Sequence, residues 1–115
     1  MKQFDSLAQV YQYATCEYSS RRANMMSDGK GGYTYNEFRN VCNHVSDRLS
    51  SYGIGSGDKV ALLSGSTPNW SLAFFATVAF GRVSVPILPD FSENEVSNVL
   101  SHSESKALFI SDRLL

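Results

Sequence analysis

The stretch KVALLSGSTPNWSLAFFATVAFGRVSVPIL, residues 59–88, decides the fold of this chain. It begins and ends with short apolar runs, KVALLS (59–64) and VSVPIL (83–88), which are typical of strands. Because proline has no N–H to donate, Pro86 places the second strand at a sheet edge or near its own end. Two strands joined through a helix form a right-handed crossover, which makes them parallel.

The segment between those strands predicts a buried helix. Thr67 is a good N-cap and Pro68 a good first residue, and the helix continues to about Phe80. Since its sequence is apolar nearly all round, we expect it to lie between other elements. Its most apolar part, residues 70–80, is too short to span a bilayer and is followed by Arg82.

The residues that follow repeat this alternation. SENE (92–95) is a capping box, which opens a helix. The apolar side chains expected to face inward from that helix are Val96, Val99 and Leu100. KALFI (106–110) is a third strand, and Ser111 with Asp112 is suited to cap another helix. The second half therefore reads β-α-β-α-β, an α/β fold with three layers and a mostly parallel sheet.

A second capping box, TYNE (34–37), opens the clearest helix of the chain. One apolar stripe runs along it, formed by Phe38, Val41, Cys42, Val45, Leu49 and Tyr52. Gly53 is suited to the left-handed conformation that ends a helix, so we expect the helix to stop there.

The amino-terminal part predicts a short helix and a hairpin. The helix covers residues 5–14, with one face formed by Leu7, Val10, Tyr11 and Ala14. The hairpin strands are 21–26 and the residues around Tyr33, joined through the turn SDGKGG (27–32). This turn resembles the start of a Walker loop, but the G-K-[ST] half is missing, which favours the hairpin.

GIGSGD, residues 53–58, has the composition of a phosphate-binding loop. A dinucleotide site needs a strand, then the loop, then a helix whose N-terminal N–H groups meet the phosphate. Here the order is helix, loop, strand, which presents the negative end of a helix dipole to a ligand. We therefore interpret this loop as a hinge, with Asp58 closing a turn.

Ligands of parallel α/β sheets gather beyond the carboxyl ends of the strands. Those ends are predicted at residues 64–67, 88–91 and 111–112. The hydroxyls of SGSTP (64–68) have two interpretations, a contact to an anion or a helix cap with a tight loop. Asp90 is most simply a turn residue.

Composition excludes several classes of function. The 115 residues form one small domain, and a net charge of −1 without a basic stripe excludes a nucleic-acid partner. The first residues contain no continuous apolar run, so no secretory signal is indicated. Cys16 and Cys42 are interpreted as reduced thiols of a cytoplasmic protein, and His44 and His102 stand too far from other ligands for a metal site.

Three motifs, in order, resemble the amino-terminal part of AMP-forming acyl-CoA synthetases, within the adenylate-forming superfamily. Thr-Tyr-x-Glu-Leu corresponds to residues 34–38, Gly-Val-x-x-Gly-Asp-x-Val-Ala to 53–61, and Gly-Ala-x-x-Val-Pro-Leu-x-Pro to 81–89. The resemblance covers roughly residues 33–112. Pro68-Asn69-Trp70 looks most like the long-chain fatty-acid–CoA ligase branch.

The resemblance implies a ligase that uses ATP, Mg²⁺ and coenzyme A to convert a fatty acid to acyl-CoA through an acyl-adenylate. The family's phosphate loop, Mg²⁺-binding Glu, ribose-binding Asp and mobile lysine have no counterpart here, so no catalytic, cofactor-binding or metal-binding residue is assigned. Residues 1–115 are interpreted as a partial AMP-binding domain of a longer, cytoplasmic protein, with its carboxyl-terminal remainder absent. Its small-molecule partners would be fatty acid, ATP and coenzyme A.

A second hypothesis is a complete, non-catalytic binding module on the same scaffold. The partial-domain hypothesis predicts an open sheet edge, apolar faces exposed on the 70–80 helix, and hence self-association. The module hypothesis predicts a stable monomer. A flavodoxin-like cofactor binder is a third class, for which SGSTPN is a poor phosphate loop.

Overall fold

The computed structural model describes residues 3, 5–25, 29 and 31–114. The elements, in chain order, are α1 (Leu7–Glu17), β1 (Arg22–Asn24), β2 (Tyr33–Thr34), α2 (Tyr35–Ser51), β3 (Lys59–Leu63), α3 (Pro68–Val78), β4 (Val83–Ile87), α4 (Glu93–Ser103), β5 (Ala107–Ile110) and a 3₁₀ turn (Asp112–Leu114). None of the described helices is long and apolar enough to cross a membrane.

The main sheet has the strand order β4-β3-β5, and both pairings are parallel. The central strand β3 is buried from Val60 to Leu63. Pro86 lies on β4, which is an edge strand of this sheet, so the prediction from its missing N–H is confirmed. The alternation of strands and helices from residue 59 onward therefore produces the expected parallel α/β fold.

Helices cover both faces of the sheet. On one face Val60 packs with Leu49 and Ile54, from the end of α2 and the loop after it. On the other face Ala61 and Leu63 form a cluster with Ile87. The α4 side chains that pack against this second cluster are those expected from the sequence, Val96, Val99 and Leu100. The three-layer arrangement is confirmed.

A separate apolar cluster joins the three helices α1, α2 and α3. Its buried members are Tyr11, Phe38, Cys42, Leu72 and Ala76. The Tyr11 ring stacks on Phe75 with 6.3 Å between centroids. Burying a large apolar side chain contributes about 1.5–3 kcal/mol, so this cluster is what holds α1 on the fold.

Helix α1 differs from its prediction in length and in its buried face. It begins after the N-cap Ser6 and runs on to Glu17. Leu7 and Val10 are 47% and 36% exposed, whereas Thr15 is buried and its hydroxyl donates to the Tyr11 carbonyl at 2.8 Å. Apolar spacing predicted the burial of Tyr11 but missed Thr15, because a threonine that bonds to its own helix can be buried like an apolar residue.

The α2 stripe is confirmed except at its end. Phe38, Cys42 and Leu49 are buried, but Tyr52 is 71% exposed. Tyr52 is the C-cap, where the backbone leaves helical geometry and the side chain no longer follows the stripe. Ser46 is buried on the same stripe, a position that hydropathy did not predict.

Helix α3 is buried through Leu72, Ala73, Ala76 and Thr77, and it contacts α1, α2, β3 and β4. The expected position between other elements is therefore confirmed, although the helix ends at Val78 rather than near Phe80. The apolar faces that the partial-domain hypothesis expected to be exposed on this helix are covered instead, since every residue from 70 to 80 is buried or half-buried.

The ends of the chain carry two further differences. Strands β1 and β2 pair antiparallel, as the hairpin required, but β1 is shorter than predicted. Half of the predicted turn, residues 27, 28 and 30, lies outside the described residues. At the other end, the helix expected after Ser111 is a single 3₁₀ turn, within which the Ser111 hydroxyl accepts the Arg113 N–H at 3.3 Å.

Candidate functional site

A groove of about 860 Å³ opens at the carboxyl edge of the sheet. It is lined by the loop after β3, at Ser64 and Gly65, and by the loop after β5, at Ser111 and Asp112. Residues 88–91, which follow β4, are not among its lining residues. The sequence therefore predicted two of the loops that form this groove, and the third lies elsewhere.

The groove has an apolar floor and a polar rim. The floor includes Leu62 of β3, Leu72 of α3 and Phe109 of β5. Trp70 forms a wall and stacks on Phe74, with centroids 5.3 Å apart and planes 9° apart. An apolar surface with a few converging polar groups is the usual character of a small-molecule or segment-binding cleft.

The small β1–β2 hairpin is fastened to the first turn of α3 beside this groove. The Tyr33 hydroxyl donates to Asn69 Oδ1 at 2.6 Å. Asn24 Nδ2 donates to Ser71 Oγ at 2.8 Å and to the Pro68 carbonyl at 3.2 Å. Tyr33 lines the groove and Asn24 does not. The sequence did not reveal these contacts because the partners of both side chains lie more than thirty positions away in the chain.

The hydroxyls of SGSTP do not cap α3 as predicted. Thr67 has the dihedral angles of an N-cap, but its side chain makes no capping hydrogen bond. The Trp70 N–H, which a capping hydroxyl would accept, is donated instead to the Thr67 carbonyl at 3.0 Å. Ser64 Oγ donates to the Gly65 carbonyl at 3.0 Å. Contact of this segment with an anion stays a prediction.

The loop 53–58 connects α2 to β3 through closed turns, and its interpretation as a hinge stays a prediction. Gly53 has φ +80°, and its N–H is donated to the Ser50 carbonyl at 2.9 Å, which closes the end of α2. Asp58 Oδ2 accepts the Gly55 N–H at 2.8 Å, so the predicted turn closure is confirmed. That backbone bond, and then Lys106 at 3.5 Å, lowers the pKa of the Asp58 carboxyl.

Arg82 is the polar residue whose role the sequence did not reveal. It is 5% exposed, although it follows an apolar helix on the way to an edge strand. Nη1 donates to Ser46 Oγ at 2.8 Å and Nη2 to Ser50 Oγ at 2.9 Å. Nε and Nη2 donate to the Ile54 carbonyl at 3.1 and 3.0 Å, and Nη2 also donates to the Ser46 carbonyl at 3.1 Å.

The guanidinium of Arg82 therefore lies at the carboxyl end of α2. A cation there is stabilised by the helix dipole and by the terminal carbonyls. It ties α2 and the hinge loop to the start of β4, so its role in this geometry is structural.

The remaining candidates do not converge on the groove. Both cysteines are free thiols, Cys16 exposed and Cys42 buried. Burial raises the pKa of the Cys42 thiol to about 12. In the part of the chain that the structure describes, no three His, Cys, Asp or Glu side chains lie close enough together to hold a metal ion.

Residues 13–115 match the family described as AMP-binding enzyme. This chain belongs to that family. The match covers the groove, the hinge loop and all three strands of the main sheet, so the fold and the family agree.

Two curated relatives show how much of a family member the chain represents. YngI of Bacillus subtilis is 33% identical over 95 residues, which are 83% of this chain and 17% of that protein. The long-chain-fatty-acid–CoA ligase FadD13 of Mycobacterium tuberculosis is 36% identical over 75 residues, or 65% of this chain and 15% of the ligase. The chain thus spans less than a fifth of either relative.

A solved structure shows the same fold. The N-terminal subdomain of Klebsiella oxytoca NpsA, in complex with 3-hydroxybenzoyl-AMSN, superposes with a TM-score of 0.84 at 22% identity. The match covers 96% of this chain and 28% of that subdomain chain. The α/β fold assigned from the sequence is therefore that of the N-terminal subdomain of adenylate-forming enzymes.

Proposed function

We propose that this chain is part of a cytoplasmic, ATP-dependent, AMP-forming ligase that converts a long-chain fatty acid to acyl-CoA. The observation that carries the proposal is the family match over residues 13–115. The long-chain substrate is supported by the similarity to FadD13, whose name states that specificity. It is also supported by Pro68-Asn69-Trp70, which resembles the long-chain branch.

In this proposal the chain supplies scaffold and groove, and the reacting groups lie in the rest of the longer protein. Activation replaces an oxide leaving group on the carboxyl carbon with AMP, which departs far more easily. Such chemistry depends on holding the carboxylate and the phosphate in line, so rigid positioning is what a scaffold contributes. Arg82 contributes to that rigidity, because its side chain joins the carboxyl end of α2 and the Ile54 carbonyl to the start of β4.

The family also implies Mg²⁺, for which the described residues are a poor fit. Mg²⁺ binds hard oxygen ligands, principally carboxylates, in octahedral geometry. No cluster of three acidic or other metal-ligating side chains exists among the residues that the structure describes. The described residues therefore do not supply a magnesium site.

The test is ATP–pyrophosphate exchange. The native coding sequence is first read past Leu115, and the longer protein that it encodes is expressed whole. We expect exchange that depends on a fatty acid and increases from C6 to C16 acids, while the 115-residue chain alone shows none. A benzoate and an anthranilate serve as control acids.

Each outcome decides one part of the proposal. Exchange with the aromatic acids alone would support the proposed ligase activity and exclude a long-chain fatty acid as the substrate. A stop codon after Leu115, or a longer protein without exchange on any acid, would contradict the ligase. The binding-module hypothesis would then account for the scaffold.

A further inference from the structure

A second cleft, the α1 cleft, lies between α1, β1, α2 and α3 and has a volume of about 190 Å³. The described residues that line it are all different from those that line the groove at the carboxyl edge of the sheet. The rings of Tyr11, Phe38 and Phe75 line the cleft, and all three belong to the apolar cluster that joins the helices. Val10, which is 36% exposed, lines it as well, so the cleft extends from the core to the surface.

Polar side chains that line the α1 cleft are bonded within the protein. Thr15 Oγ1 donates to the Tyr11 carbonyl at 2.8 Å. Ser71 Oγ donates to the Pro68 carbonyl at 3.0 Å and accepts from Asn24 Nδ2 at 2.8 Å. The hydroxyl protons of Thr15 and Ser71 are therefore already used and are not offered to a ligand.

Two further polar groups of the cleft are used in the same way. Asn24 Oδ1 accepts the Tyr33 N–H at 3.0 Å, and the Tyr11 hydroxyl donates to the Arg39 carbonyl at 3.2 Å. Within the described part of the chain, the buried side-chain atom that lacks a hydrogen-bond partner is Ser84 Oγ, which lies on β4 and does not line the cleft. A trapped water needs about 2–4 polar partners, so the cleft is a poor site for ordered water.

Charge and size restrict the ligand further. No Asp, Glu, Lys, Arg or His is among the described residues that line the cleft, so a charged ligand would lose hydration without gaining a counter-charge. An apolar cavity of about 150 Å³ stays dry and binds benzene. One turn of an α-helix, about 10 Å wide and about 5.4 Å long, is too large for the space. The fitting occupant is therefore a small molecule and not a docked helix.

We propose that the α1 cleft binds a small, uncharged, apolar molecule of one ring, held by contact with Tyr11, Phe38 and Phe75. Dispersion contacts with the three aromatic rings supply the attraction. The ligand contacts α1 on one side and β1 and α3 on the other, so its binding stabilises the docked position of α1. The ligase reaction plays no part in this inference.

The test compares cyclohexane with 1,4-dioxane, which share a ring shape and differ in two opposed ether oxygens. It is a methyl NMR titration of the protein as its coding sequence encodes it. We expect cyclohexane to shift the Ala14 and Ala23 methyl resonances saturably and to give intermolecular nuclear Overhauser effects to both. 1,4-Dioxane should bind at least about tenfold more weakly, because its oxygens lose hydration and find no donor in the cleft.

Two leucine variants of α1 form a matched pair. Ala14→Leu extends a lining side chain into the cleft, whereas Gln12→Leu adds a leucine at an exposed position of the same helix that does not line it. We expect Ala14→Leu to weaken cyclohexane binding at least about tenfold and Gln12→Leu to change it less than about twofold. The comparison of the two ring compounds uses the unchanged sequence and does not depend on the folding of either variant.

Three results would overturn the proposal. One is the absence of saturable shifts up to the solubility limit of cyclohexane. Another is equal affinity for the two ring compounds, or Overhauser effects confined to groove residues such as Leu62. The third is a cleft filled by other side chains of the protein without ligand, seen as Overhauser effects from them to both the Ala14 and Ala23 methyl groups. Each result leaves pyrophosphate exchange, and with it the proposed function, unaffected.

Discussion

At the scale of single residues, Arg82 is a buried charge whose guanidinium bonds to α2 and to the loop after it. A buried charge is costly unless its hydrogen bonds are made, and all the groups around Arg82 are acceptors. Removing the side chain would leave buried carbonyls at the end of α2 without donors.

We expect Arg82→Met to lower the free energy of unfolding by about 2–4 kcal/mol. The hydrogen bonds from a charged donor are lost, and the buried acceptors are left without a donor. The measurement is urea denaturation. Arg48→Met, at an exposed position in the last turn of α2, is the matched control and should cost less than about 1 kcal/mol. Equal effects of the two variants would contradict the role assigned to Arg82.

The two cysteines should react very differently. The Cys42 side chain is fully buried and its pKa is raised to about 12 by burial, so it is a thiol at neutral pH. Cys16 is exposed and its sulfur accepts from Arg39 Nη1 at 3.3 Å. We expect iodoacetamide at pH 8 to alkylate Cys16 in the folded chain and Cys42 only in urea, as read by peptide mass.

Burial of Cys42 also predicts that folding stability declines at alkaline pH. The pKa of this thiol is higher in the folded state than its ordinary value of 9.0. Its contribution to stability is therefore complete below about pH 9 and is lost as the pH rises toward about 12. Cys42→Ser should flatten that decline in pH-dependent urea denaturation. A decline of unchanged steepness in the variant would assign it to other groups.

Asp58 accounts for part of the loss of folding stability at acid pH. Its pKa is lowered first by the Gly55 N–H and then by Lys106, so its contribution exists above the ordinary pKa of 3.8 and is lost as the pH falls through the folded-state value. Asp58→Asn should therefore reduce the acid-induced loss of stability. Lys106→Met should retain most of the acid-induced loss of stability. A larger reduction in Lys106→Met than in Asp58→Asn would make the ion pair the main cause.

At the scale of elements, three residues that the sequence predicts as N-caps differ in whether their side chains make the capping hydrogen bond. Thr34 and Ser92 form complete capping boxes, with Glu37 and Glu95 reaching back to the cap N–H groups. Thr67 occupies the same position before α3 without a side-chain bond. Local pattern predicted all three helix starts, but only the fold shows which hydroxyls are used.

This difference gives a matched pair of variants. Thr34→Ala should lower the free energy of unfolding by about 1 kcal/mol, because its hydroxyl accepts the Glu37 N–H at 3.2 Å. Thr67→Ala should change it by less than about 0.5 kcal/mol, since no cap bond is lost. Thermal denaturation of the two variants beside the parent sequence is the measurement. A larger loss for Thr67→Ala would show that its hydroxyl caps α3 in solution.

At the scale of the whole molecule, the chain leaves apolar surface uncovered along β4 and the loop after it. Leu88 is 60% exposed and Val83 44% exposed. We expect the weight-average mass of the isolated chain to increase with concentration in sedimentation equilibrium, because such a patch favours association. Leu88→Ser should reduce the increase. Leu7→Ser, at an exposed apolar position on α1, should leave it unchanged.

A mass independent of concentration over the accessible range would contradict the association and favour the binding-module hypothesis. Association that persists in Leu88→Ser would place the contact on another face of the chain.

The sequence by itself determined the order of the elements and the parallel sheet. Strands of buried apolar residues, capping boxes and a helix-ending glycine are local signals, and residues 59–110 carry them with little interruption. They also predicted that Pro86 lies on an edge strand or near the end of its strand, because a residue without an N–H cannot complete a central ladder.

Only the tertiary structure decided the roles of Arg82, Thr15 and the Asn24–Tyr33 pair. Each is polar, and each is placed by partners elsewhere in the fold or by burial that depends on a neighbouring helix. Hydropathy assigns polar residues to the surface, whereas a buried polar group is stable when the fold brings acceptors or donors to it. The groove is decided in the same way, since its floor joins β3, α3 and β5, whose residues meet only in three dimensions.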